Sequence, residues 1–159
     1  MATAEVGQKA PAFALRDQEG RTHRLKDYAG RPVVLYFYPK DDTPGCTREA
    51  CDFRDASAAF TGAGAAVLGV SILDTASKAR FARKHGLQFP LLADEDHAVA
   101  ERYGAWKEKL LYGKTRLGIV RTTVLVDADG RVARRWEGVK VDGHVASVLA
   151  AVQDLAGPR

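Results

Sequence analysis

The sequence predicts an α/β fold: a central mixed β-sheet flanked by helices, with a small β-hairpin at the N-terminus. Three observations carry this. Short continuous apolar runs, rich in β-branched and aromatic residues, alternate with segments that open on a helix cap and close on glycine. Near the C-terminus two strand-like runs flank Asp127-Ala128-Asp129-Gly130, which reads as a tight antiparallel turn rather than a crossover. The 159 residues suit one domain that buries about two-thirds of its unfolded surface, with no repeat or linker to divide it.

The first thirty residues fit a hairpin turning at Gln18-Glu19-Gly20-Arg21. Val33 to Tyr38 is a buried strand stopped by Pro39. Thr43-Pro44 supplies an N-cap and a first helical residue, so a helix is expected from there to Phe60, ended by Gly62 and Gly64. Ala65 to Ile72 is a second strand. Asp74 caps a helix over Thr75–His85, closed by Gly86. Phe89 to Ala93 is a short strand, and Asp96 to Tyr103 a helix ended by Gly104. Residues 105–120, with Gly113, Gly118 and four Lys or Arg, are expected to be irregular. Thr122–Val126 and Arg131–Trp136 pair as strands, and a last helix runs from Asp142 or Gly143 to about Leu155.

Composition removes several functions. The longest strongly apolar run is six residues, Val33 to Tyr38, against the roughly 20 of a membrane-spanning helix. No basic segment precedes an apolar stretch at the N-terminus, so a secretory leader is not expected and a cytoplasmic protein is. Two cysteines are too few for a disulfide scaffold. The net charge of +4 is concentrated in residues 101–140, which hold ten Lys or Arg and five Asp or Glu. These cations alternate with apolar residues or sit in turns, the pattern of a solvated face, so neither nucleic acid nor a membrane is an expected partner. His23, His85, His97 and His144 are scattered and do not give zinc-ligand spacing with the cysteines. Trp106 and Trp136 read as packing residues.

Open α/β sheets place their sites at the carboxyl ends of strands, which points to the segment PKDDTPGC after Tyr38. With Thr43 as cap and Pro44 first, Cys46 is the third helical residue. Its sulfur then lies in the field of unpaired N–H groups, which favours an anion and hence the nucleophilic thiolate. The alternative is a small buried hydrophobe. Gly45 leaves the backbone open to a substrate. Asp41 and Asp42 would oppose a thiolate, but they precede the cap and are expected to point into water. Arg121, opening the strand Thr122–Val126 near the centre of the sheet, is expected to bring its guanidinium beside the sulfur.

The run YFYPKDDTPGCTREACDF (36–53) resembles the peroxiredoxin active-site pattern P-x-x-x-T-x-x-C, and in particular its bacterioferritin-comigratory, or PrxQ, branch. YGKTRLGIVRTTVLVDADG (112–130), VGQKAPAFAL and LKDYAGRPVVLYF are similar to the same branch, so the likeness covers almost the whole chain. It implies a thioredoxin-like fold and a peroxidase that uses no metal, flavin or haem. Cys46 takes the place of the peroxidatic cysteine, which becomes a sulfenic acid. Thr43 matches the threonine that hydrogen-bonds peroxide and sulfur, Pro39 the proline that shields the site, and Arg121 the arginine that stabilises the thiolate and the charge moving onto oxygen. Glu49 matches a glutamate that orients the arginine. Cys51 matches the resolving cysteine of a C-x-x-x-x-C pair, giving an intramolecular disulfide. The resemblance further implies hydrogen peroxide and organic hydroperoxides as substrates, thioredoxin or a similar dithiol as reductant, and a monomer.

Three other functions compete. A disulfide reductase would want C-x-x-C, whereas four residues separate these cysteines. A thioredoxin-like binding or holdase module would not need Thr43, Cys46 and Arg121 together. A nucleic-acid module would rest on the basic segment alone. Thiol-dependent loss of added hydrogen peroxide separates all three from a peroxidase.

Overall fold

The computed structural model describes residues 4–156. In chain order the elements are strands β1 (Ala14–Arg16) and β2 (Thr22–Arg24), a 3-10 turn at Leu25–Tyr28, β3 (Val33–Phe37), helices α1 (Pro44–Asp55) and α2 (Ser57–Gly62), β4 (Ala66–Ser71), α3 (Thr75–His85), β5 (Leu91–Ala93), α4 (Ala98–Arg102), β6 (Trp106–Leu111), β7 (Lys114–Ile119), β8 (Thr122–Val126), β9 (Val132–Glu137) and α5 (His144–Ala156).

Seven strands form one sheet in the order β2-β1-β5-β4-β3-β8-β9, and β6 pairs with β7 in a separate hairpin. The sheet is mixed: β3 runs parallel to β4 and antiparallel to β8. This puts the residue after β3 and the residue before β8 at the same end of adjacent central strands. Phe37 faces Thr122 in register, so the α1 start and Arg121 meet at one edge.

β3 is buried along its whole length, as its unbroken apolar sequence requires. Val34, Tyr36 and Tyr38 join a core with Phe53 of α1, Phe60 of α2, Phe81 of α3 and Val148 of α5. Val33, Leu35 and Phe37 point the other way, against Phe13, Val99, Tyr103 and Ile119. Burying each large side chain contributes about 1.5–3 kcal/mol. Gly69 of β4 belongs to the first layer for a steric reason: a Cβ there would lie 2.9 Å from the Tyr36 ring. The caps of α3 are those read from sequence. Asp74 accepts from the Ser77 amide at 2.9 Å, and Gly86 closes the helix at φ 64°.

Two expectations are corrected. The helix from Thr43 does not run unbroken to Phe60 but divides at Ala56 into α1 and α2. Asp55 and Ser57, both weak helix formers, flank the break, and the Asp55 carboxylate is paired with Arg54. Residues 105–120 are not irregular but form the β6–β7 hairpin, turned by Tyr112 and Gly113 at φ 52° and 77°. Most of β7 is exposed, so no buried face imposes an alternating pattern on its sequence.

Candidate active site

Cys46 lies in the first turn of α1 and is 1% exposed. Thr43 occupies the N-cap position with extended backbone, and its carbonyl accepts the first helical bond from Thr47 N–H at 2.8 Å. Its hydroxyl does not cap. It donates to the Lys40 carbonyl at 2.9 Å, which leaves its lone pairs and the early helical N–H groups free to meet a ligand. Pro39 follows the buried Tyr38 and is half-buried.

Arg121 comes from the other side of the edge. One guanidinium nitrogen, Nη2, donates to Cys46 Sγ at 3.4 Å, and Nη1 donates to Glu49 Oε1 at 2.7 Å. The fork thus ties the sulfur to a carboxylate one helical turn along α1. Gly45 makes the approach possible, since a Cβ there would stand 3.1 Å from Nη2. Lys109 of β6 adds a second cation to this side; its Nζ donates to the Ile119 carbonyl at 2.7 Å. Cys51 is half-buried on the same helix, and both cysteines are free thiols.

Two features escape the sequence reading. Asp41 is not in water: it is 7% exposed and paired with the buried Lys78 of α3, whereas its neighbour Asp42 stays exposed. His144, at the start of α5, sits behind the site. Its Nε2 shares a hydrogen bond with Thr123 Oγ1 at 2.8 Å and lies 4.0 Å from Glu49 Oε2, which has no hydrogen-bond partner among the described residues. The sequence marks His144 only as one of four scattered histidines, at the start of the last helix, which says nothing about what the ring meets.

Glu49 and His144 carry opposing pH effects. Burial pushes Glu49 up to about 7 from 4.5, against the pull of Arg121. Burial, with Arg121 adding to it, holds His144 down at about 4 from 6.5. Stability rises with pH wherever the unfolded chain binds more protons. Between pH 4.5 and about 7 the folded chain keeps the Glu49 proton and the unfolded chain has lost it, so this group makes stability fall. Between about 4 and 6.5 the unfolded chain has a charged His144 and the folded chain a neutral one, so stability rises. The two slopes nearly cancel in the native protein. Glu49→Gln should expose the rising limb alone, a gain on the order of 3 kcal/mol from pH 4 to 6.5, read by denaturant unfolding relative to the native profile. An unchanged profile in that variant would contradict this account.

Comparison with known proteins agrees with this geometry. The AhpC/TSA family profile matches residues 6–135. Peroxiredoxin Bcp of Bacillus subtilis (strain 168) is 47% identical over 154 residues, 97% of this chain and 98% of that protein. Peroxiredoxin Bcp of Escherichia coli (strain K12) is 44% identical over 152 residues, 96% of this chain and 97% of that one. Xanthomonas campestris bacterioferritin comigratory protein, whose structure was studied for alkyl peroxide reduction, superposes with a TM-score of 0.90 at 41% identity, covering 96% of this chain and 99% of that one. A mutant of Xylella fastidiosa PrxQ superposes at 0.92 with 33% identity, covering 98% and 99%. The sheet and helices are therefore those of the thioredoxin fold as peroxiredoxins use it. By sequence, fold and likeness along nearly its whole length, this chain belongs to the AhpC/TSA family, as a peroxiredoxin of the Bcp, or PrxQ, type.

Proposed function

We propose that this peroxidase reduces hydrogen peroxide and organic hydroperoxides at Cys46, and that Cys51 and an external dithiol, thioredoxin or a similar protein, complete the cycle. One observation carries the reading: a thiol at a helix start, 3.4 Å from a guanidinium that is itself fixed by a buried carboxylate. Arg121 and the early N–H groups aim positive charge at the sulfur, which reacts as the thiolate. The sulfur attacks one peroxide oxygen in line, the O–O bond breaks, and sulfur is oxidised to a sulfenic acid. The other oxygen leaves with the bonding electrons and takes a proton to become water or an alcohol. Arg121 meets the charge growing on that oxygen, and the Thr43 lone pairs accept from the peroxide O–H. Pro39 limits water at the site. Cys51 then displaces water from the sulfenic acid to give a disulfide, and dithiol exchange restores both thiols while the reductant is oxidised. The protein works in the cytoplasm, where dithiol reductants return the 46–51 disulfide to thiols, and as a monomer. The direct test is peroxide-dependent NADPH oxidation with thioredoxin and thioredoxin reductase, with and without the protein.

Arg121→Lys tests the arginine. Lysine keeps the charge but cannot hold Glu49 and the sulfur with one planar fork. The second-order rate with peroxide is expected to fall about tenfold or more, the scale of losing one preorganised donor, with little change in melting temperature. Unchanged peroxide kinetics would remove Arg121 from the chemistry.

A further inference from the structure

Residues 39–43 join β3 to α1 and carry both Pro39 and Thr43. The side chain of Asp41 is enclosed by groups outside α1. The Tyr38 hydroxyl donates to its Oδ1 at 2.5 Å, Ser77 Oγ donates to Oδ2 at 2.7 Å, and Lys78 Nζ lies 3.4 and 3.3 Å from the two oxygens. Lys78 is fully buried. Its Nζ also donates to Ser71 Oγ at 2.7 Å and sits 5.5 Å from the centre of the Tyr38 ring. The next residue, Asp42, turns outward at φ 60° and pairs with Lys84 at 2.9 Å and His85 at 3.0 Å.

All these partners lie on α3, at the end of β4, or at Tyr38. The strap is therefore tied at two consecutive residues to parts of the fold that have no reason to move with α1. The Thr43 hydroxyl bonds within the strap, to Lys40, rather than to the helix. A buried ion pair adds little stability over a well-packed apolar pair, yet its hydrogen bonds admit only one arrangement. Such a pair is suited to fixing a loop rather than to stabilising a core.

We propose that Asp41 and Lys78 are positioning residues: they hold the 39–43 strap, and with it Thr43, in one place while α1 unwinds and rewinds during turnover. This rests on the reading of Cys46 and Cys51 given above: in the intact α1 their Cα atoms would stand about 8.5 Å apart, beyond the roughly 7 Å a disulfide tolerates, so residues 44–51 must open for the pair to form. Unwinding is then confined to residues from Pro44 onward, and the helix rebuilds on an N-cap that never left its position.

The test separates two rate constants. In Lys78→Met the first equivalent of peroxide should react with Cys46 about tenfold more slowly or worse, since a loosened Thr43 misplaces the substrate. Formation of the 46–51 disulfide from the sulfenic acid should stay within about twofold of the native rate, because the strap takes no part in it. A merely structural role would lower the melting temperature and leave the peroxide rate alone. Steady-state 15N heteronuclear NOEs provide the second readout. In the oxidised native protein residues 40–43 should stay as rigid as in the reduced form while residues 44–51 loosen; in Lys78→Met, 40–43 should loosen even when reduced. A native peroxide rate in Lys78→Met, or loosening of 40–43 together with 44–51 in the oxidised native protein, would overturn the proposal. Should Lys78→Met not fold, Ser77→Ala removes one hydrogen bond from Asp41 and should slow the peroxide step about two- to threefold, with the native rate again overturning it. Absence of any 46–51 disulfide would instead refute Cys51 as the resolving residue, and the peroxide rate and the NOEs of the reduced protein would still decide the strap.

Discussion

Cys46→Ser is expected to lose peroxidase activity by several orders of magnitude and to keep its fold. The chemistry needs a group that is ionised near neutral pH and can accept an oxygen atom. A serine hydroxyl beside Arg121 is neither, so the helix field and the guanidinium have no anion to stabilise. Losing a nucleophile removes what the rest of the site acts upon, which is why such losses are far larger than those of supporting groups. The structural cost is small. Serine is slightly smaller than cysteine, Arg121 keeps its 2.7 Å bond to Glu49, and the aromatic packing of Phe53 on Tyr36, with ring centres 4.6 Å apart, lies two turns further along the helix. Peroxide consumption with dithiothreitol or with the thioredoxin system measures the loss, and near-ultraviolet circular dichroism checks the fold. Residual activity within tenfold of native would mean that another group attacks peroxide.

The parts legible in the sequence are those where local chemistry and tertiary environment coincide. β3 is buried on both faces, so its residues are all apolar and mark it at sight. The start of α1 is announced by Thr43-Pro44, and both ends of α3 by Asp74 and Gly86. The place of Arg121 before β8 points to the site, but its contact with sulfur depends on the antiparallel pairing of β3 with β8, which no local pattern encodes. The β6–β7 hairpin was hidden because an exposed ribbon has no face to pattern. Two adjacent aspartates look like a solvated turn, yet only Asp42 is exposed. The signal was on the other partner. Lys78 stands three and four residues before Phe81 and Ala82, so it lies on the apolar stripe of α3, where an unpaired cation would be costly. A lysine on a buried stripe calls for a carboxylate, and Asp41 is the one the fold delivers.

Cys51→Ser is expected to consume one equivalent of peroxide at close to the native rate and then to stall as sulfenic acid, or over-oxidise, with thioredoxin as reductant. The reason is geometric. In the reduced protein α1 is continuous from Pro44 to Asp55 and both cysteines are free. Five residues of intact helix separate their Cα atoms by about 8.5 Å, with side chains diverging by about 140°, whereas a disulfide tolerates at most about 7 Å. The native protein must therefore open residues 44–51 before the sulfenic acid can meet Cys51. Opening breaks the Glu49–Arg121 and Arg48–Asp142 pairs. The first loss is partly offset, because Glu49 leaves a buried place that disfavours its charge and regains water. Phe53, packed on Tyr36 and Phe60, anchors the far end of the helix, so the opening has a natural limit just past Cys51. Mass spectrometry after stoichiometric peroxide should find a 46–51 disulfide in the native chain, and amide exchange should rise across residues 44–51 but not beyond Phe53. In Cys51→Ser neither change should occur, and turnover with thioredoxin should fall to the slow rate at which an external thiol reaches a sulfur that is 1% exposed. Native turnover in this variant, or an oxidised native protein with α1 still protected, would place resolution elsewhere.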